Sequence, residues 1–149
     1  MLLEGGCECG RVRYCLEGPP ICVNCCHCRQ CQKLGGSAFA LNAMIESERV
    51  LILEGLDPAT IEVEGEARCP SCHTLLWAFH PMFGKGIGFV RVGTLDEGER
   101  LAPDVHFFLR SKHPWIKLPE GARGFDTLPG KDDLLFPADA AARLAAARG

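Results

Sequence analysis

The chain has 149 residues, 47% of them apolar and 23% charged, which is the ordinary composition of a globular protein. This length suits one domain with a core of its own. The formal net charge is −3 and no basic stripe is present, so neither nucleic acid nor an anionic membrane is expected as a partner.

The ten cysteines are the most unusual feature of the composition. No run of about 18 apolar residues predicts a membrane span, and the opening MLLEGGCECG is too short and too polar for a signal peptide. A reducing cytoplasm is therefore the expected location. In that compartment clustered cysteines are expected to be metal ligands or catalytic thiols rather than disulfides. The isolated Cys15 and Cys22 are expected to be small buried apolar residues.

Strand patterns dominate the chain when the elements are taken in order. RVRYCLEG alternates, with Val12, Tyr14 and Leu16 on one face. RQCQKLGG is expected to form one or two helical turns, and residues 137–148, which begin at Pro137, form the one clear helix. Residues 119–134 are expected to be a surface loop. Further short strands are predicted in PPICVNC, SAFALNAMI, RVLILEG, TIEVEG, LLWAF, GIGFVRVGTLD and VHFFLRS. Turn signals about every ten residues predict an all-β sandwich or barrel.

The most specific thiol pattern is the C-x-x-C formed by Cys69 and Cys72. A tight turn with this spacing presents both sulfurs to one tetrahedral zinc at about 2.3 Å, and Pro70 presets the backbone for such a turn. A redox dithiol and plain burial are the alternatives, but the redox motif normally opens a helix. Strand-like sequence follows here, so the pattern favours a metal.

Two further clusters lie earlier in the chain. Cys7 and Cys9 form a C-x-C, whose side chains point to the same side of an extended segment. Cys26, Cys28 and Cys31 combine that spacing with one helical turn, so a strand that ends in a helix aims them at one point. Cys25 and His27 alternate to the opposite side, and His27 is expected to be neutral and hydrogen-bonded to a surface group.

Spacing alone does not decide how the three clusters combine. Cys28, Cys31, Cys69 and Cys72 could form the two arms of a zinc ribbon with a long insert. Seven thiols divide more naturally as four plus three, however. A closed site with four thiolates is structural, whereas three protein ligands leave an open coordination position.

The chain resembles the glutathione-dependent formaldehyde-activating (GFA) family over about residues 4–125. The stretches that carry the resemblance are, in chain order, GGCECGRVRY, CCHCRQCQKLGGSAFA, GEARCPSCHTLL, GTLD and SKHPW. The resemblance implies a mainly β, Mss4-like zinc-binding sandwich. With the short helical turns and the C-terminal helix expected from the residues themselves, it makes up a single expected domain over residues 1–149. It also implies two zinc ions per chain. The implied structural ligands are Cys7, Cys9, Cys69 and Cys72, and the implied functional and catalytic ligands are Cys26, Cys28 and Cys31. His73 replaces the family's usual glycine, so either a left-handed conformation or an extra polar group near a metal is expected there.

The implied activity is that of a carbon–sulfur lyase-type enzyme that joins glutathione and formaldehyde as S-hydroxymethylglutathione, or a related thiol and aldehyde. Arg29 and Lys33 are candidate contacts for the carboxylates of glutathione, and residues 113–115 are a candidate pocket wall in which Trp115 is expected to pack as core or lid. The alternative hypothesis is a non-catalytic, zinc-stabilised β module that binds a thiol, a peptide or a protein. The oligomeric state is not indicated by the sequence.

Overall fold

The computed structural model describes residues 1–129 and 138–148, which form two β-sheets and three helices. The smaller sheet has the order β1-β2-β5 and the larger has the order β6-β7-β8-β4-β3-β9, and only the β3–β9 pair is parallel. The strands are β1 Leu2–Gly6, β2 Arg13–Glu17, β3 Cys22–Cys26, β4 Ala40–Glu46, β5 Val50–Glu54, β6 Glu66–Arg68, β7 Leu75–His80, β8 Gly84–Arg91 and β9 Val105–Phe107. The helices are α1 Arg29–Gly35, α2 Pro58–Glu64 and α3 Ala138–Arg148.

The main core lies between the two sheets, so the predicted mainly β sandwich is confirmed. Val12, Tyr14 and Leu16 are all fully buried, as their alternation predicts. The Tyr14 ring packs edge-on against Trp77 of the larger sheet, with 5.3 Å between ring centroids. Its hydroxyl is 2.6 Å from the hydroxyl of Thr94, so the buried phenol has a polar partner. Burial of each large apolar side chain here contributes about 1.5–3 kcal/mol.

Helix α2 contradicts the predicted strand in TIEVEG. The β-branched residues favour a strand, but the capping groups at both ends select a helix. The side chain of Asp57 accepts a hydrogen bond from the amide of Ala59 at 2.9 Å, and Pro58 stands in the first turn. Gly65 ends the helix with a left-handed φ of 74° and donates to the carbonyl of Ile61. Only one face of this helix is buried.

The other two helices agree with the sequence-based expectations. Helix α1 ends at Gly35 and is capped by Gly36, whose φ of 60° is left-handed. Helix α3 covers one end of the larger sheet, where Ala140 and Leu144 pack with Met44 and Ile87. Pro137, Gly149 and the loop residues 130–134 lie outside the described residues. Within the part of the chain that the structure describes, no helix is long and apolar enough to cross a membrane.

An ion pair ties α3 to the sheet. Arg143 donates to both carboxylate oxygens of Glu46, each at 2.7 Å, and to the carbonyl of Pro19 at 2.9 Å. The Glu46 side chain is only 8% exposed. Bonding to Arg143 holds the pKa of Glu46 below its ordinary value of 4.5. The resulting stabilisation is therefore present above that value and is lost as the pH falls through the folded-state pKa.

Glu46→Gln is expected to lower the free energy of unfolding by about 2 kcal/mol near neutral pH, because Arg143 loses its charged partner. The difference between variant and wild type should shrink as the pH falls below 4.5. Urea unfolding at several pH values measures both effects. The matched control is Glu48→Gln, since Glu48 is an exposed neighbour. An equal pH dependence of stability in wild type and Glu46→Gln would contradict this account.

Candidate metal centres

The first candidate centre brings together two pairs of cysteines that lie about sixty residues apart in the chain: Cys7 and Cys9, and Cys69 and Cys72. Their ligand atoms all lie within 4.8 Å of one another. The sulfur of Cys9 is 3.6 Å from that of Cys7 and 3.7 Å from that of Cys69. Tetrahedral zinc with bonds of about 2.3 Å places its sulfurs about 3.8 Å apart. The donor set and the spacing therefore fit zinc.

Backbone amides surround these sulfurs. The amide of Val12 donates to Cys7 at 3.2 Å, and the amides of Ser71 and Cys72 donate to Cys69 at 3.4 Å each. A hydrogen bond with the Thr74 hydroxyl, at 3.1 Å, is the largest cause that lowers the pKa of Cys72 to about 5. Such bonds stabilise the thiolate form, which is the form that binds metal.

His73 adopts the left-handed conformation expected from its replacement of glycine. Its φ is 63°, and its amide donates to the carbonyl of Cys69 at 2.9 Å. Cys69 in turn donates to the carbonyl of Thr74 at 3.1 Å. These two bonds close the tight turn that presents Cys69 and Cys72 together. A histidine accepts this conformation at a modest cost in backbone energy.

The second candidate centre comprises Cys26, Cys28 and Cys31, whose sulfurs also lie within 4.8 Å of one another. Strand β3 ends at Cys26, Cys28 caps α1, and Cys31 lies in the first turn of that helix. The amide of Cys31 donates to the sulfur of Cys28 at 3.3 Å. A hydrogen bond from the thiol of Cys31 is the largest cause that lowers the pKa of Cys26 to about 6. The local fold thus presents three convergent thiols, one of them acidic.

The grouping in space is four plus three. Cys28 and Cys31 lie with Cys26, and Cys69 and Cys72 lie with Cys7 and Cys9, so the zinc-ribbon arrangement is not formed. Among the residues that the structure describes, the second group gains no fourth Cys, His, Asp or Glu ligand. Its three cysteines are half-buried, so solvent reaches the group. An external ligand could therefore complete the coordination of an ion bound there.

A third group lies on the opposite face of β3 and consists of Cys25, His27 and His106. Nε2 of His27 is 3.0 Å from Nδ1 of His106 and 3.5 Å from the sulfur of Cys25. His27 is completely buried, so the expected bond to a surface group is wrong. Burial lowers the pKa of His27 to about 4 and keeps the ring neutral, as predicted.

The hydrogen-bond partners of His27 favour a hydrogen-bonded histidine pair over a metal site in this third group. In residues 1–129 and 138–148, Nδ1 of His27 has no hydrogen-bond partner. An ion on Nε2 of His27 would force the ring proton onto this buried nitrogen, and an unpaired buried donor is costly. If Nε2 instead donates to His106, Nδ1 carries only a lone pair. We therefore assign the pair a structural role in joining β3 to β9.

Several residues around the second centre were not anticipated from the sequence. Nη1 of Arg91 donates to Oδ1 of Asn42 at 2.7 Å, and Nδ2 of Asn42 donates to Oδ1 of Asn24 at 3.3 Å. Asn24 lies on the same face of β3 as Cys26, two residues earlier. The positive charge of Arg91 also contributes to the lowered pKa of Cys26. The only sequence signal for any of these residues is that Asn24 lies two positions before Cys26, which predicts that both side chains point to the same face of a strand.

The cationic and aromatic candidates take different positions. Nη1 of Arg29 donates to Oε1 of Gln32 at 2.6 Å, while Lys33 lies exposed on α1. Trp115 is 70% exposed, so the core position expected for it is wrong. Its ring stacks on His113, with an interplanar angle of 14° and 5.7 Å between centroids. Trp115 thus lies on the surface, stacked on the partly buried His113, rather than in the core.

The two sheets and the two thiol clusters define a mainly β protein whose clustered cysteines can hold metal ions. The family model described as "Glutathione-dependent formaldehyde-activating enzyme" matches residues 2–111. The chain therefore belongs to the GFA family, and the resemblance noted in its sequence is confirmed.

Two known proteins are similar to this chain. A curated protein of Halomonas elongata, whose name assigns it provisionally to the glutathione-dependent formaldehyde-activating enzymes, is 30% identical over 129 residues. The match covers 79% of this chain and 82% of that protein. A crystal structure of a Rhodobacter sphaeroides protein is 18% identical, with a TM-score of 0.46, and the match covers 63% of this chain and 88% of that one.

Proposed function

We propose that this protein is a zinc-dependent carbon–sulfur lyase-type enzyme that joins glutathione and formaldehyde as S-hydroxymethylglutathione, or a related thiol and aldehyde. The observation that carries the proposal is the three-thiol group Cys26, Cys28 and Cys31, which stands apart from the four-thiol group. Membership of the GFA family supports glutathione and formaldehyde as the reactants. The proposed partners are thus a small thiol and an aldehyde.

We assign the two groups different roles within one unit that spans residues 1–149. Cys7, Cys9, Cys69 and Cys72 would hold a structural zinc, because four thiolates complete a tetrahedral site. Cys26, Cys28 and Cys31 would hold a second zinc. When bound there, zinc supplies a soft electrophilic position that favours the thiolate form of a ligand near neutral pH. A cytoplasmic location belongs to this proposal, since a reducing compartment keeps seven cysteine ligands as thiols.

The chain's own residues would hold the reactive groups in place. Gln32 donates to the carbonyls of His27 and Ser111, at 2.8 and 3.0 Å, and so ties α1 to the segment after β9. The addition forms one carbon–sulfur bond, and the proton lost by the thiol ends on the former carbonyl oxygen. A rigid binding site favours this step mainly by proximity and orientation. Arg29 and Lys33 remain candidate contacts for the glutathione carboxylates, since both are exposed on α1.

Exchange NMR with glutathione and formaldehyde tests the proposal. Adduct formation and breakdown are expected to be faster with the zinc-loaded protein than in buffer, and a zinc chelate at the same concentration serves as the control for free metal. An acceleration proportional to protein concentration would support an enzyme. Equal exchange rates with and without protein, alongside measurable glutathione binding, would instead identify a non-catalytic thiol-binding module.

A further inference from the structure

We propose that the side-chain amide of Asn24 is a binding subsite for a carbonyl or carboxylate oxygen of the thiol that binds at Cys26, Cys28 and Cys31. The favoured ligand class is then a cysteinyl thiol, that is, a cysteine unit within a peptide or peptide-like molecule. This inference rests on the proposed function, because it takes the three-thiol group as the place where the sulfur of the ligand lies.

The hydrogen bonds on this face run in one direction only. The guanidinium of Arg91 carries only hydrogen-bond donors. The atom of Asn42 that lies 2.7 Å from it must therefore be the acceptor oxygen Oδ1. Nδ2 of Asn42 then points to Asn24 and donates to its Oδ1 at 3.3 Å. Arg91, Asn42 and Asn24 thus form a row of side chains in which each donates to the next. Nδ2 of Asn24 is the last donor of this row. Flipping the Asn24 amide would place two donors face to face.

That last donor has no partner among residues 1–129 and 138–148, although Asn24 is only 3% exposed. A buried amide donor without an acceptor is costly, whereas an apolar side chain of the same shape carries no such penalty. The row is therefore incomplete in the protein alone. Because successive bonds polarise one another and Arg91 is charged, the free N–H is a strong donor for an oxygen acceptor.

The strand register places this donor beside the three-thiol group. Asn24 and Cys26 lie on the same face of β3, about 7 Å apart along the strand. Asn24 pairs with Asn42, and Asn42 pairs with Arg91, so the row crosses β3, β4 and β8. On this face, the opposite end of the sheet is covered by α3 through contacts that include Met44. The polar row thus lies between an apolar covered end and the thiols.

The separation selects among thiols. In a cysteinyl unit the main-chain carbonyl lies within a few ångströms of the sulfur, and in a tripeptide a terminal carboxylate lies farther along. Either oxygen would reach Nδ2 of Asn24 while the sulfur lies near Cys26, with the side chains that bury this nitrogen moving aside on binding. A simple alkyl thiol such as ethanethiol has no acceptor to offer. The subsite therefore distinguishes glutathione from ethanethiol without direct contact with the reacting carbon.

Calorimetric titration of the zinc-loaded protein tests this inference. Asn24→Leu is expected to weaken glutathione binding roughly tenfold, the effect of one lost hydrogen bond. Ethanethiol binding and zinc content should not fall. The urea midpoint without ligand should change little, because the variant removes the unpaired donor of Asn24 but also leaves Nδ2 of Asn42 without its acceptor. Met44→Leu, a volume-conserving change on the same face, is the control and should change neither affinity.

A second measurement does not depend on a variant that folds. In wild-type protein, the side-chain amide resonances of Asn24 should shift with glutathione and not with ethanethiol. Equal weakening of both thiols by Asn24→Leu, or unchanged binding of both, would overturn the subsite alone. Absence of binding by either thiol to wild type would overturn the proposed function together with the subsite. Selective binding without accelerated exchange would support the subsite and contradict the enzyme.

Discussion

Cys69→Ala is expected to leave the protein largely unfolded at room temperature. Cys69 is completely buried and its sulfur lies 3.7 Å from that of Cys9, sixty residues earlier in the chain. A structural zinc site contributes about 10–16 kcal/mol to the folding of small zinc domains, whereas a whole domain is stable by only about 5–15 kcal/mol. The free energy lost with one zinc ligand should therefore exceed the whole free energy of unfolding of the domain. Circular dichroism and zinc analysis measure the outcome.

The control for this prediction is another buried thiol that belongs to neither metal group. Cys22 is 3% exposed and packs in the smaller core beneath α3. Cys22→Ala removes one buried sulfur and should cost only about 1 kcal/mol, with two zinc equivalents retained. A folded Cys69→Ala protein that still holds two equivalents would show that the four thiols do not form the structural site.

The pair Cys7 and Cys9, the pair Cys69 and Cys72 and the group Cys26, Cys28 and Cys31 could each be predicted from the sequence, because each is set by short-range spacing. C-x-C and C-x-x-C determine locally which way the side chains point, and Cys28 is an N-cap for the same local reason. The alternation that buries Val12, Tyr14 and Leu16 is equally local. Which groups combine is a long-range property, and for that the resemblance to the GFA family was needed.

The residues that sequence reasoning missed are brought together by strand register. Arg91 and Asn42 are 49 positions apart, and His106 and His27 are 79 apart. No local pattern connects such pairs, because they depend on which strands become neighbours. The wrong strand in TIEVEG has the opposite cause: its capping residues Asp57 and Gly65 are visible in the sequence. There the caps outweigh the β-branched residues, whose preference is weak and depends on context.

Substitution of Cys28 is expected to abolish the acceleration of glutathione–formaldehyde exchange while the protein stays folded. Cys28 belongs to the three-thiol group, and its sulfur also accepts the amide of Cys31 at 3.3 Å as the cap of α1. Cys28→Ser keeps a capping oxygen and Cys28→Ala does not, so the alanine variant should be less stable than the serine variant by about 1 kcal/mol. Both should hold one zinc equivalent instead of two.

The two variants together separate chemistry from folding. If the thiol of Cys28 serves only as a cap, Cys28→Ser should accelerate exchange as wild type does, and the three-thiol group would lose its proposed role. If both variants unfold as Cys69→Ala does, both thiol groups are structural and the enzyme proposal fails. Loss of acceleration in both, with thermal unfolding still cooperative, follows only if the second group acts in the reaction and the first alone maintains the fold.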